Sequence, residues 1–286
     1  MKTYLDCLPC VLRQVLEASK ISTDNEELQN EIMAQTLKGL ADYKRYRNSP
    51  EVCRVMHGIV KKHTGVADPY REIKQRDIQT ALKLLPALKR YIEGREDRLY
   101  GALKAAATGN VLDSSISNSI NFEACLETEL NKPFSVCDID MLKERLKVSK
   151  TLLIIGDNAG ETVLDRILLE ELPPFDVTYA VRSAPIINDA TEEDAHASGL
   201  ETYARIISTG CNVPGVNLDE CSREFLEVFY GADIVICKGQ GNYETLSDCD
   251  RELFFLLKAK CAVLARLLNV SLNSYIFKYL KSVEQR

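Results

Sequence analysis

The hydrophobic rhythm of this 286-residue chain changes part way along, and that change restricts the fold more than any other feature. Up to about residue 108 apolar residues recur at helical spacing, as in Cys10, Val11, Val15 and Leu16, then Leu28, Ile32, Leu37 and Leu40, then Val52, Val55, Ile59 and Val60. The segment 77–95 continues the pattern with Ile78, Leu82, Leu85, Leu88 and Ile92, and Pro86 inside it predicts a kink or a split. Residues 65–70 read as a loop before it. From Leu152 onward short aliphatic runs alternate with helical stretches instead. Strands are expected at 152–155, 176–181, 205–208 and 233–238, and helices at 191–198 and 219–230. The segment 253–268 is compatible with a buried strand, Phe254 to Leu257, followed by a helix. Strands spaced at βαβ intervals form parallel sheets with helices on both faces. The expected architecture is therefore α/β, a Rossmann-like, mainly parallel sheet flanked by helices over 109–286, with an α-helical amino-terminal domain over 1–108.

The balance of side chains narrows the function classes. With 45% hydrophobic and 27% charged residues the chain has the composition of a soluble globular protein. Thirty-six Lys and Arg against 42 Asp and Glu give a formal charge of −6, and without a basic block there is no footprint for nucleic acid. No apolar stretch reaches the roughly 20 residues that span a bilayer, so no membrane partner is expected. The start, Met1-Lys2-Thr3-Tyr4-Leu5-Asp6, lacks the apolar core of a signal peptide, and a cytoplasmic location follows as the expectation. Ten cysteines spread through such a chain read mostly as reduced core residues. Cys7-Leu8-Pro9-Cys10 differs, because its spacing lets two sulfurs face one metal or form a redox pair.

Three polar clusters follow expected strands. Thr151-Leu152-Leu153-Ile154-Ile155 ends in Gly156-Asp157-Asn158, and the helical pattern resumes at Gly160-Glu161-Thr162. A strand buried on both faces that ends in a carboxylate and an amide places hard oxygen ligands at the carboxyl edge of the sheet, where ligands of open α/β sheets bind. Asn188-Asp189 occupies the equivalent position after the next strand, so Asp157, Asn158 and Asp189 form a candidate set for Mg²⁺ or Mn²⁺. Helix capping is the plainer use of each cluster. The third cluster, Lys238-Gly239-Gln240-Gly241-Asn242-Tyr243-Glu244, joins a cation to exposed backbone amides and suits phosphate. It matches neither the Walker nor the dinucleotide glycine pattern, and no nucleophile elbow occurs in the chain. Gly109-Asn110-Val111-Leu112-Asp113 lies at the junction of the two halves, where its polar residues reach toward the cleft. His57, His63 and His196 are too scattered for a metal cluster.

Taken together, Gly156-Asp157-Asn158-Ala159-Gly160-Glu161, Asn188-Asp189-Ala190, the Lys238 to Glu244 segment, Cys7-x-x-Cys10 and Gly109-Asn110-x-x-Asp113 resemble the metal-dependent damage-control phosphatases, formerly a family of unknown function. The resemblance covers nearly the whole chain, and Cys-x-x-Cys resembles the small prokaryotic-type branch. Longer relatives carry Arg-Thr-x-Lys near the carboxyl terminus; the comparable Phe255-Leu256-Leu257-Lys258 keeps only the lysine. The resemblance implies metal held by Asp157, Asn158 and Asp189, with Mn, Co, Ni or Mg as the ion. It implies phosphate or substrate contacts from Lys238, Asn242 and Lys258, to which the residues themselves add Asn110, Asp113, Gly239 and Gly241 as expected substrate contacts and Asp157, Asp189 and Lys238 as the expected catalytic groups. The implied substrate is a small phosphorylated metabolite. Two other functions fit the residues: S-adenosylmethionine-dependent methyl transfer, and non-enzymatic metal or redox binding through Cys7 and Cys10.

Overall fold

The computed structural model describes residues 1–109 and 122–282. Its sheet has seven strands: β1 (Phe134–Cys137), β2 (Thr151–Ile155), β3 (Asp176–Val181), β4 (Arg205–Ser208), β5 (Ile234–Lys238), β6 (Leu253–Lys258) and β7 (Tyr275–Leu280), in the order β1-β7-β6-β5-β2-β3-β4. Strands β6, β5, β2, β3 and β4 run parallel to one another, β7 pairs antiparallel to β6, and β1 parallel to β7. From β2 the chain winds outward through β3 and β4, then crosses back to β5 and continues to β6. The winding therefore reverses between β2 and β5, and a crevice opens at such a switch point outside the carboxyl ends of the strands.

The continuous apolar runs follow from burial of both sheet faces. Leu152, Ile154, Tyr179, Val181, Ile234, Ile236, Phe254 and Leu256 face one apolar cluster. Their neighbours Leu153, Ile155, Ala180, Val235, Cys237, Phe255 and Leu257 face the other. Each fully buried Leu, Ile or Phe contributes about 1.5–3 kcal/mol, so the five parallel strands are the stable centre of the molecule. The structure resolves 253–268 into β6 and the helix α12 (Ala262–Leu268). Strands β1 and β7 were not expected. β1 has four residues with only Phe134 buried, too short for periodicity to register, whereas the aromatic and β-branched run Tyr275-Ile276-Phe277 carries a readable strand signal.

Helices α1 (Cys7–Ser22), α2 (Glu26–Ala41) and α3 (Ser49–Thr64) form their own apolar cluster around Val11, Val15, Ile32, Met56 and Val60. Asn25 caps α2 by accepting from Leu28 N–H, Asn48 caps α3 by accepting from Glu51 N–H, and α3 stops at Gly65 with φ 72°. α4 (Arg71–Glu93) and α5 (Arg98–Thr108) instead bury Ile78, Ala81, Leu84, Leu88, Leu103 and Ala106 in the same cluster as the sheet and α8 (Glu161–Glu170). The expected split at Pro86 does not occur. α4 continues unbroken, because Pro86 lies on its exposed side while Leu84, Leu88 and Ile92 hold the opposite side in the core. The remaining helices are α6 (Phe122–Asn131), α7 (Ile139–Leu146), α9 (Glu192–Ala197), α10 (Arg223–Gly231) and α11 (Gly239–Leu246).

Ion pairs fix the helical layer over the carboxyl edge of the sheet. Arg47 meets Asp219 at 2.7 Å, Arg54 pairs with Glu220, and Lys74 bonds both Asp68 and Asp194 at 2.8 Å. Asn48 Nδ2 donates to Asn217 Oδ1 at 3.1 Å. Of these partners Asp194 lies on the segment that follows β3, and Asn217, Asp219 and Glu220 on the one that follows β4. Among the described residues no helix is long and apolar enough to cross a membrane.

Candidate active site

A cavity of about 600 Å³ lies between α1, α3 and α4 on one side and the carboxyl ends of β2, β3, β5 and β6 on the other. Asp157, Asn158, Asn188 and Asp189 form its floor. Backbone hydrogen bonds zip their two loops together: Ala190 N–H donates to Asp157 O at 2.8 Å, and Ala159 N–H to Asn188 O at 2.9 Å. Asn158 and Asp189 form an antiparallel bridge. The two clusters, 32 positions apart in sequence, thus make one floor because β2 and β3 pair in register.

Neither cluster serves as a helix cap. α8 begins at Gly160 with no side-chain cap, and Asn158 Nδ2 instead donates to Glu161 Oε1 at 2.9 Å. α9 is capped by Thr191, whose N–H and hydroxyl both donate to Asp194 Oδ2. Asp157 and Asp189 are therefore not the side chains that cap these helices. Burial and the negative charge of Asp189 push the Asp157 carboxyl up to about 7, against the pull of Lys260, Arg182 and Lys238. Two carboxylates that repel across a desolvated floor, beside an amide oxygen, match the donor set of a hard divalent cation. Among the described residues no group of three or more His, Cys, Asp or Glu is placed to hold a metal ion.

A layer of buried charge supports the floor. Arg182 Nε donates to Asp189 Oδ2 at 2.8 Å, and its Nη2 to Asn242 Oδ1 at 3.2 Å. Asn242 in turn donates to the carbonyls of Gly156 and Lys238 at 3.0 and 2.6 Å. Glu161 and Asp165 are fully buried and share Lys238, whose ammonium donates to Glu161 Oε2 at 3.1 Å, to Asp165 Oδ1 at 2.6 Å and to Ala106 O at 3.2 Å. Burial raises the Glu161 carboxyl to about 7 while Lys238 opposes that rise. Tyr179 closes the layer by donating to Asp165 Oδ2 at 2.6 Å.

Close approach explains the glycines. A Cβ on Gly239, whose φ is +81°, would stand 1.9 Å from Asp157 Oδ2, and one on Gly241 would stand 2.0 Å from Pro214 O. The third cluster is thus shaped for its neighbours in the crevice.

The expected site residues therefore divide. Asp157, Asn158, Asp189 and Gly241 line the cavity, whereas Lys238 and Asn242 lie behind it and Gly239 packs against Asp157. Lys238 does not face the cavity, because three buried acceptors draw its ammonium inward. Lys258 Nζ meets Glu129 Oε2 at 3.0 Å, also away from the cavity wall. Asn110 and Asp113 fall outside the described residues. Arg182, Asp165 and Lys260 were not anticipated; Arg182 does follow a buried strand, which was the available signal. Cys7 and Cys10 both line the cavity, together with Cys53 and Cys261. The described cysteines are free thiols, but only Cys53, Cys211 and Cys237 are buried. The expectation that most are core residues is corrected accordingly, since many of them sit on helix surfaces and turns.

A doubly wound α/β protein with paired carboxylates at its switch point is the class that this fold and crevice define. The chain matches the ARMT1-like damage-control phosphatase domain over residues 3–276, and it belongs to that family. It is 37% identical over 276 residues to a damage-control phosphatase of Pyrococcus horikoshii, covering 94% of this chain and 95% of the relative. It is 31% identical over 287 residues to one of Archaeoglobus fulgidus, covering 97% and 99%. An uncharacterized protein of Methanocaldococcus jannaschii is 34% identical over 288 residues, covering 96% and 95%. The crystal structure of a DUF89 family protein from Pyrococcus horikoshii superposes with a TM-score of 0.89 at 35% identity, over 97% of this chain and 98% of that one. Family membership makes the chain a phosphatase and so decides against the methyltransferase and the non-enzymatic alternatives.

Proposed function

We propose that this phosphatase hydrolyses phosphate monoesters of small metabolites, sugar phosphates or damaged or surplus phosphometabolites, with Mn, Co, Ni or Mg held by Asp157, Asn158 and Asp189. The observation that carries the reading is the hydrogen-bonded pairing of the two loops at the sheet's switch point, which brings two carboxylates and an amide to one cavity floor. When bound, the metal supplies Lewis acidity toward a phosphate oxygen and toward water.

The chain's own groups do the rest. Arg182 holds Asp189 through Oδ2, and Glu161 holds the nitrogen of Asn158 and turns its Oδ1 away from the support layer. Lys238 balances Glu161 and Asp165, so the floor keeps its shape when the anionic ester arrives. Glu161 is fully buried behind Asn158, so of Glu161 and Asp189 it is Asp189 that lines the cavity and can assist proton transfer on the substrate side. The helical layer forms the cavity wall opposite the floor, where it meets the organic part of the ester.

The test is a phosphometabolite screen with each of the four metals added separately, followed by D157A. Wild-type release of phosphate that depends on the metal, abolished in a folded D157A variant, is the expected outcome. Retained activity in D157A would reject its assigned role.

A further inference from the structure

We infer that Cys211 and Cys221, at the two ends of the loop between β4 and α10, are an oxidisable pair that takes hydrogen peroxide and becomes a disulfide. Neither residue lines the cavity, and the inference stands independently of the phosphatase reading. The backbone brings the ends of this loop together. Thr209 N–H donates to Val181 O at 2.8 Å, Ser222 N–H donates to Thr209 O at 2.9 Å, and a Cβ on Gly210 would stand 2.4 Å from Ser222 N. Cys211 is anchored further by its own N–H on Thr209 Oγ1 at 3.2 Å, and by its carbonyl, which accepts from Thr209 Oγ1 at 3.0 Å and from Ser183 N–H at 3.1 Å. Cys221 is anchored from the other side, since its N–H donates to Leu218 O at 3.2 Å and the next residue, Ser222, caps α10 through Phe225 N–H. On these pinned backbones the two sulfurs meet in a hydrogen bond. A disulfide needs sulfurs in contact on backbones that do not have to move, and this pair meets that condition.

Their surroundings give the two sulfurs different roles. The hydrogen bond with Cys221 lowers the Cys211 thiol to about 6 against the opposing effect of burial, helped by the N–H groups of Asn217 and Val213. Cys221 moves the other way, raised first by the same bond and then by burial, and its thiol also reaches Asn217 O at 3.3 Å. The pair therefore holds one thiolate and one thiol at neutral pH. Cys211 is 2% exposed and Cys221 half-buried, which keeps bulky disulfides from the thiolate and favours a reagent as small as peroxide. The Cys211 thiolate attacks one peroxide oxygen, an S–O bond forming as the O–O bond breaks and hydroxide leaves. The Cys221 sulfur then attacks the sulfenic sulfur of Cys211; the S–S bond forms as the S–O bond breaks, and the departing oxygen carries off the Cys221 proton as water. Both electrons pass from the sulfurs to peroxide. The disulfide fastens the loop whose Asn217, Asp219 and Glu220 hold Asn48, Arg47 and Arg54 of the helical layer.

The test uses the full chain with its other cysteines in place. Native protein is treated with hydrogen peroxide near neutral pH, its free thiols are alkylated, and it is cut with trypsin without reduction. Arg205 and Arg223 are consecutive cleavage points, so the peptide 206–223 carries Cys211 and Cys221 and no other cysteine. After peroxide this peptide should carry no alkyl group and lack its two thiol hydrogens. The oxidised protein should melt about 3–8 °C above the reduced one, the scale for a disulfide that closes a short loop in a chain of this size. C221S, which keeps a hydroxyl donor, should stop at a Cys211 sulfenic acid that dimedone traps, whereas Cys221 in C211S should be modified about threefold or more slowly. A peptide still alkylated at both sulfurs, or a disulfide that forms only in urea, overturns the inference. So does a Tm left unchanged or lowered by oxidation. The peptide map is read on the wild type, so it decides the matter even where a variant fails to fold.

Discussion

Replacing Gly239 by alanine puts a single methyl group where the crevice has no room for it. The φ of +81° is left-handed, which costs an alanine about 1–2 kcal/mol in any surroundings. The added Cβ also lies 1.9 Å from Asp157 Oδ2, 2.1 Å from its Cγ and 2.7 Å from Oδ1. To restore ordinary contact at 3.4 Å or more, the carboxylate must withdraw by about 1.5 Å. The backbone of Asp157 cannot follow, because Gly156 N–H donates to Ala180 O at 2.9 Å and Asp157 O accepts from Ala190 N–H at 2.8 Å. The displacement therefore falls on the side chain that is assigned to the metal. Gly65 provides the control: its φ is +72° and nothing lies within 4 Å of its Cβ. Urea denaturation should show a loss of about 1–2 kcal/mol in G65A, and up to about 1–3 kcal/mol more in G239A from overpacking. Metal-dependent phosphate release should be unchanged in G65A and fall about 100-fold or more in G239A, the scale of a 1 Å misplacement at a reacting centre. A G239A protein that binds metal and turns over as G65A does would refute the reasoning that ties Asp157 to the chemistry.

Two further expectations test the support layer and the interior. Glu161 presents one oxygen to Asn158 and the other to Lys238, and Gln can offer an acceptor to only one of them. E161Q should weaken metal binding about 10- to 100-fold with little change in KM at saturating metal; unchanged metal affinity in calorimetry would remove Glu161 from the supporting role. Lys104 is fully buried with no hydrogen-bond partner among the described residues, over the ring of Tyr275, and burial lowers its ammonium to about 7. Its folded value lies below its unfolded one of about 10.4, so the unfolded chain binds the extra proton and stability rises as pH increases from about 7 to about 10. K104M should therefore stabilise the protein near pH 7 by about 1–2 kcal/mol, with a gain that shrinks toward pH 10. A destabilised K104M across that range would show that the cation over Tyr275 contributes more than its burial costs.

Much of the sheet was legible because both of its faces are buried. A strand such as Leu152-Leu153-Ile154-Ile155 has no solvent side, so it appears in sequence as an unbroken aliphatic run, and the polar residues that end it mark the carboxyl edge. The same logic brought Asp157, Asn158 and Asp189 forward as one set. Capping competed with that reading until the caps proved to be Gly160 and Thr191, since cap geometry depends on where the helix starts and not on residue type alone. Pro86 reads as a breaker in sequence, yet the core contacts on the opposite side of α4 carry the helix past it.

Lys238 marks the limit of reading by pattern. A lysine after a buried strand and before two glycines has the composition of a phosphate site, and sequence has no means of registering Glu161, Asp165 and the carbonyl of Ala106 around its ammonium. Those acceptors come from α5 and α8, brought together only when both helices pack on one sheet face. The sequence by itself determined which segments become strands, which residue types stand at their carboxyl ends and, with the family, that the chemistry is phosphate release. Tertiary structure decided which of those side chains face the cavity. That choice is set by electrostatics: a buried ammonium turns toward whatever carboxylates the fold places beside it, because leaving any of them unpaired in the interior costs more than withdrawing the lysine from the cavity.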